Sequence, residues 1–233
     1  MRRLTAILIL LLSGWSSLAQ FRESPPQNLP LFDDTFWQWG YYFGTTHFDY
    51  YIGFKTPENY VRVVPEPGFN VGLISDFRIT RMLSIRLEPG VRVSTRHLYF
   101  DSAYTGLSGQ DTIRKINANY LVLPVMIKFN AHRNGNFRPY VMAGGTYGYN
   151  LTSYEFSIND NASGRFRTRK NVFFLEVGVG FEMYMYYFKF TPSIRGIFSL
   201  TNEMVPDEDP NSAWTGNMEY MGTRGIYIVL TFE

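Results

Sequence analysis

The sequence predicts an all-β fold in which eight antiparallel strands close into a transmembrane barrel. Three observations carry this reading. Segments of about a dozen residues alternate apolar and polar side chains with a period of two. The connections between them are alternately short and long. Aromatic residues, 18% of the chain, gather toward the segment ends.

Taken in order, residues 1–19 read as a signal peptide. Arg2 and Arg3 are followed by an apolar run over 4–12, and Ser17-Leu18-Ala19 forms a small-x-small cleavage signal before Gln20. The run is too short to span a membrane as a helix, so the mature protein is expected outside the cytoplasm. Residues 20–36, with Pro25, Pro26 and Pro30 and no periodicity, read as an extended periplasmic linker. The barrel is expected to occupy 37–233.

Its strands are expected at 39–54, 69–79, 83–97, 116–129, 137–151, 175–183, 187–200 and 226–232. The clearest is LSIRLEPGVRVSTRH (83–97), where Leu83, Ile85, Leu87, Val91 and Val93 share one face and Ser84, Arg86, Glu88, Arg92 and Arg96 the other. Soluble strands average about 5–6 residues, whereas a tilted membrane strand needs about 9–11; this separates a barrel from a secreted β-sandwich. Long connections fall at 55–67, 100–115, 153–170 and 201–223. Short ones fall near Thr80-Arg81, at 130–136 and near Met185-Tyr186. Trp39, Tyr41, Phe77, Phe129, Phe137, Tyr184, Tyr187 and Phe232 would form a girdle at the short-turn end. Tyr50, Phe54, Tyr99, Phe100, Tyr149 and Tyr154 would form one at the long-loop end. Pro89, Pro124 and Pro192 lie inside strands, where each removes a ladder donor, so bulges are expected beside them.

Composition narrows the function. There are 22 Lys+Arg and 20 Asp+Glu, and loss of Arg2 and Arg3 leaves 20 of each, so nothing calls for nucleic acid. The absence of cysteine removes disulfides, thiolate metal sites and thiol nucleophiles. A mean hydropathy of −0.16 excludes a bundle of membrane helices.

An eight-stranded barrel has an interior that side chains fill. The inward set is expected to be Arg86, Glu88, Arg92, Arg96, Glu176, Glu182, Lys189 and Arg195, interlocked as ion pairs rather than lining a channel. If the 175–183 and 187–200 strands turn at Met185-Tyr186, one register sets Glu182 opposite Lys189 and Glu176 opposite Arg195.

The stretches WGYYFGTTHFDYYI (39–52), PGFNVGLISDFRI (67–79), LSIRLEPGVRVSTRHLYF (83–100), YLVLPVMIKF (120–129), RPYVMAGGTYGYNL (138–151) and YYFKFTPSIRGIFSL (186–200) resemble the PorT family. The likeness spans nearly the whole mature chain. PorT proteins are small outer-membrane β-barrels associated with the type IX secretion system. The resemblance implies an integral outer-membrane location with both termini periplasmic, and a role in exporting cargo that bears C-terminal sorting domains. It implies other type IX secretion components as partners and brings no catalytic residues. A general envelope or adhesion barrel is the alternative, and an outer-membrane enzyme a further one.

Among residues that could carry chemistry, His47 and Asp49 share a strand face, and His97 is expected near the outer end of its strand. No nucleophile with a nearby base is marked, so these and His132 read as polar barrel filler, without a catalytic, cofactor or metal site. Asp207-Glu208-Asp209 begins like a calcium loop, but Ser212 and Met218 stand where Gly and Glu are needed, so a solvated acidic loop is expected. Arg165, Arg167, Arg169 and Lys170 cluster around Phe166 and suit contact with lipopolysaccharide phosphates.

Overall fold

The computed structural model describes residues 27–56, 61–107, 109–156 and 166–233, so the expected signal peptide and Arg165 lie outside the described residues. Among the described residues there are ten strand segments: β1 (Trp37–Phe54), β2 (Val61–Pro65), β3 (Gly68–Arg78), β4 (Leu83–Leu87), β5 (Gly90–Phe100), β6 (Ile113–Asn130), β7 (Phe137–Asn150), β8 (Asn171–Tyr184), β9 (Lys189–Ser199) and β10 (Met218–Phe232). Because β2 runs on into β3 and β4 into β5, they make eight staves. Each pairs antiparallel with its chain neighbours, and β1 pairs with β10 to close the ring.

Closure requires the strands to be staggered. One row of partners runs Phe48, Gly225, Ile197, Glu176, Gly144, Met126, Arg86, Asp76 and back to β1 at Gln38. The return from position 48 to position 38 is a shear of ten residues. Stagger of this kind tilts the strands by about 35–45° to the axis. It also sets which side chains meet across the interior.

The prolines produce a different irregularity from the expected one. Register is unchanged across Pro89, with Leu87 facing Val125 and Gly90 facing Val122. It is unchanged across Pro192, with Gly180 facing Ser193 and Met183 facing Phe190, and across Pro124. Pro89 and Pro124 lose a donor but keep the acceptor: the Leu73 N–H donates to the Pro89 carbonyl at 2.9 Å, and the Glu88 N–H to that of Pro124 at 3.2 Å. Register shifts instead at Glu66-Pro67, and again between Gly53 and Phe54 in the β1–β10 ladder. From Pro65, opposite Arg96, to Gly72, opposite Gly90, one strand spends seven steps and its partner six. Beyond that bulge the chain returns to strand as β2, inside what the sequence suggested was a loop, and β10 starts eight residues before the expected 226.

The outer surface is apolar, carrying Phe43, Leu73, Leu123, Val125, Val179 and Ile228. Trp37, Trp39, Phe129 and Phe137 are exposed at the short-turn end, and Tyr51, Tyr99 and Tyr147 toward the other. Tyr184, Tyr50 and Phe100, expected in these girdles, point inward and are buried. Parity explains it: each lies an even number of residues from buried Glu182, Phe48 or Arg96 on its own stave.

The wall is uneven. β1, β6 and the two composite staves each span 18 residues, whereas β7 to β10 run to 14, 14, 11 and 15. The connections of the shorter half fold into the cup formed by the taller half. Phe166 and Met204 pack with Tyr50, Leu98, Phe100 and Ile116 in a buried apolar cluster, and Trp214 packs against it.

Candidate functional site

The polar interior is built from the inward positions of the alternating strands. At the short-turn end, the Arg86 guanidinium donates from Nε and Nη2 to Asp76 Oδ2 at 2.8 and 2.6 Å, and lies 2.5 Å from Glu233 Oε1. Lys128 pairs with Glu182 and with Asp76 at 3.5 Å. Lys189 reaches Glu182 at 3.1 Å and Gln38 Oε1 at 3.1 Å. One layer up, Arg195 grips Glu88 with both terminal nitrogens. Glu176 accepts from Arg92 Nη2 at 3.0 Å, from Thr146 Oγ1 at 2.8 Å and from the Tyr227 hydroxyl. The Arg92 guanidinium also lies 4.9 Å from the centre of the Tyr227 ring. Space for these large groups comes from inward glycines. A Cβ on Gly180 would lie 2.6 Å from the Tyr140 hydroxyl oxygen.

All eight inward residues named from the sequence are buried, and seven of them enter ion pairs. Arg96 has no ion pair among the described residues; its Nε donates to the Phe48 carbonyl at 3.0 Å and its guanidinium lies 4.1 Å from the Tyr50 ring centre. The strand register is corrected. The turn occupies Met185, Tyr186, Tyr187 and Phe188, so Lys189 faces Tyr184, Arg195 faces Gly178 and Glu176 faces Ile197. The pairing is two residues out of step with the expected one. Glu182 therefore meets Lys189 diagonally, and Glu176 and Arg195 find partners across the lumen.

The residues before β1 are not an extended tail. Residues 27–36 fold under the short-turn end with a 3-10 turn at Phe32–Asp34. Asp33 is the anchor: its carboxylate lies 3.1 Å from Arg133, 3.2 Å from Arg138 and 3.4 Å from Arg78, and accepts from the Tyr184 hydroxyl at 2.8 Å. The Phe32 ring meets Tyr184 edge-on, and the Asn28 side chain donates to the Tyr184 carbonyl at 3.0 Å. Beside this segment a cleft of about 700 Å³ is lined by Asp33, Asp34, Arg78, Arg81, His132 and Arg133, among others.

At the long-loop end two expectations are corrected. Arg167 does not face lipid: it is buried, donates to the Pro206 carbonyl at 2.6 Å and pairs with Asp207 at 3.5 Å. Neighbouring Phe166 draws this part of the connection into the apolar cup. Asp207, expected in a solvated loop, accepts from Thr215 Oγ1 at 3.0 Å and from Ser212. Arg169 is exposed, and Lys170 lies 5.0 Å from the Tyr149 ring centre.

The histidines are not barrel filler. His47 lies on the outer face of β1, and its neighbour Asp49 pairs with Arg224 at 3.4 Å. His97 lies on the outer face of β5, 2.6 Å from Glu66, and His132 sits in the β6–β7 turn. The structure brings no two of them together.

Sequence reasoning missed Asp76, Lys128, Arg138, Glu203 and Asp33. The first three occupy inward positions that parity could have flagged. Glu203 and Asp33 lie in connections, where parity carries no information.

Residues 19–205 match the family model described as outer membrane protein beta-barrel domain. No curated protein matches the chain. Among solved structures, the chain is similar to the outer membrane protein OprG from Pseudomonas aeruginosa at 14% identity and a TM-score of 0.54, over 84% of this chain and 93% of that one. It also aligns with the N-terminal β-barrel domain of Pseudomonas aeruginosa OprF at 13% identity and a TM-score of 0.36, over 83% and 97% of the two chains. The OprG likeness shows a shared barrel fold.

Proposed function

From the family to which the chain belongs, that of the outer membrane protein β-barrel domain, we propose that it acts in the outer membrane as a closed, non-conducting component of type IX protein secretion. One observation supports a closed barrel: the lumen is filled by interlocked side chains, from Arg86, Asp76 and Glu182 below to Phe100, Phe166 and Met204 above. A pore needs a continuous aqueous path, and desolvated charge pairs across the interior oppose one. The work of such a barrel falls to its rims and its lipid-facing wall.

The secretion role rests on the sequence resemblance to PorT proteins. In this reading both ends of the barrel domain face the periplasm, where residues 27–36 and the adjoining cleft are open to other secretion components. Arg169 and Lys170 face outward at the opposite rim, where they contact lipopolysaccharide phosphates. The deciding experiment is deletion of the gene, with secretion of cargo carrying C-terminal sorting domains as the readout. Loss of secretion, restored by the full-length chain, supports the proposal. Intact secretion overturns it in favour of an envelope or adhesion barrel.

A further inference from the structure

Strand β1 loses one of its neighbours partway along. Its pairing with β3 ends at Thr46 and Gly68, while its pairing with β10 continues to Phe54 and Met218. The segment that should pair with this edge is β2, yet β2 pairs with β5 and not with β1. Proline contributes to the gap: Pro65 precedes the bulge where β2 turns into β3, Pro67 lies within it, and neither has an N–H to offer β1.

Side chains answer part of the backbone that lacks a ladder partner here. Arg96 Nε donates to the Phe48 carbonyl at 3.0 Å, and the Tyr50 N–H donates to Asp49 Oδ1 at 2.8 Å. Across the ladder, Thr223, opposite Tyr50, gives its own N–H to Glu203, and Met221, opposite Ile52, gives its N–H to Asn202. Those two pairs are therefore not bonded to each other, and Tyr50 and Ile52 turn their backbone groups toward the gap. The corresponding edge of β10 is sealed, because Asn202 and Glu203 of the preceding connection cover it. Among the described residues, no strand or loop covers the β1 edge in the same way.

We propose that this upper edge of β1 accepts an extended segment of another polypeptide, which adds as a strand between β1 and β2. The occupant is a peptide rather than an acyl chain, because backbone donors and acceptors that have no ladder partner among the described residues need hydrogen-bonding partners that a hydrocarbon lacks. Its side chains alternate. Those facing inward meet Tyr50, Ile52 and Val61, and those facing outward meet Asp49, Tyr51 and Arg62. The hydrogen-bonded neighbour of β2 is β5, so β2 can give way without breaking a bond to β1.

Two measurements on the full chain test this, and neither reads secretion, so the result is independent of the export proposal. The first is amide exchange by NMR on the purified protein in micelles. The Ile52 N–H, facing the gap, exchanges on the order of a hundredfold faster than the Tyr51 N–H, which faces β10. Equal protection of the two means that the seam is closed and overturns the proposal. The second exploits the absence of cysteine. Tyr51 and Arg62 would face each other if β1 and β2 closed up, so a Tyr51→Cys, Arg62→Cys variant locks the seam when oxidised. A photocrosslinking residue at Val64 then forms an adduct with a polypeptide in reduced cells, and oxidation lowers the yield by roughly tenfold as the added strand is excluded. Adducts with lipid alone, no adduct, or a polypeptide adduct indifferent to the lock overturn the proposal. Should the double variant fail to fold, exchange on the unmodified chain still decides.

Discussion

Arg92 and Glu176, 84 residues apart in sequence, meet across the barrel at 3.0 Å. They belong to β5 and β8, which share no ladder, so the contact ties one wall of the barrel to the other. Glu88 and Arg195 do the same between the β4–β5 junction and β9. These cross-ties make the interior rigid as well as full.

Removing one member of a cross-tie leaves a buried charge without its partner. Glu88→Ala or Arg195→Ala is expected to destabilise the folded barrel by about 3–5 kcal/mol, and a charge-swapped double variant to recover part of that loss. Urea titration in micelles, followed by the mobility shift between folded and unfolded barrel, provides the measurement. Additive single effects with no coupling would contradict the tie.

Register between β8 and β9 can be read with disulfides. Val179 faces Ile194 on the outer wall. Directly opposed residues lie about 4.5–5.5 Å apart between Cα atoms, within disulfide reach. A Val179→Cys, Ile194→Cys variant should oxidise readily, whereas Val177→Cys, Ile194→Cys should not. The opposite result would restore the register that sets Glu176 against Arg195.

Asp33 should govern the segment beneath the barrel. Charge-assisted hydrogen bonds are worth about 1.5–3 kcal/mol each, and partial exposure lowers their worth here. Asp33→Ala is expected to free residues 27–36, seen as faster proteolytic clipping N-terminal to Trp37 with the barrel intact. An unchanged clipping rate would show that Phe32 and Asn28 suffice.

Orientation in the membrane is open to thiol labelling. Glu208 and Arg81 are exposed at opposite ends of the barrel. An impermeant maleimide on intact cells should label a Glu208→Cys variant and spare Arg81→Cys. The reverse pattern would place the long connections in the periplasm.

Eight staves and the inward positions of Arg86, Glu88, Arg92 and Glu182 were legible in the sequence because alternation needs only neighbouring residues. Partners across the lumen were not. They depend on the shear, and no local pattern along one strand encodes the ten-residue offset between Phe48 and Gln38. The β8–β9 turn was misread because Met185, Tyr186, Tyr187 and Phe188 include no glycine or asparagine to reveal its type. β2 was hidden by Pro65 and Pro67, whose usual meaning is loop. Asp33 was invisible because two of its partners, Arg133 and Tyr184, lie 100 and 151 residues away.

The uneven wall gives the molecule a front and a back. Arg62, Glu66, His97 and Lys115 all lie on the outside of the taller half, above its apolar band, and the gap beside β1 opens on the same flank. A protein free to spin about the membrane normal would present this flank to any given neighbour for only part of each rotation. Encounters in the plane of the bilayer are then selective by azimuth, and a neighbour that engages the flank also stops the spin.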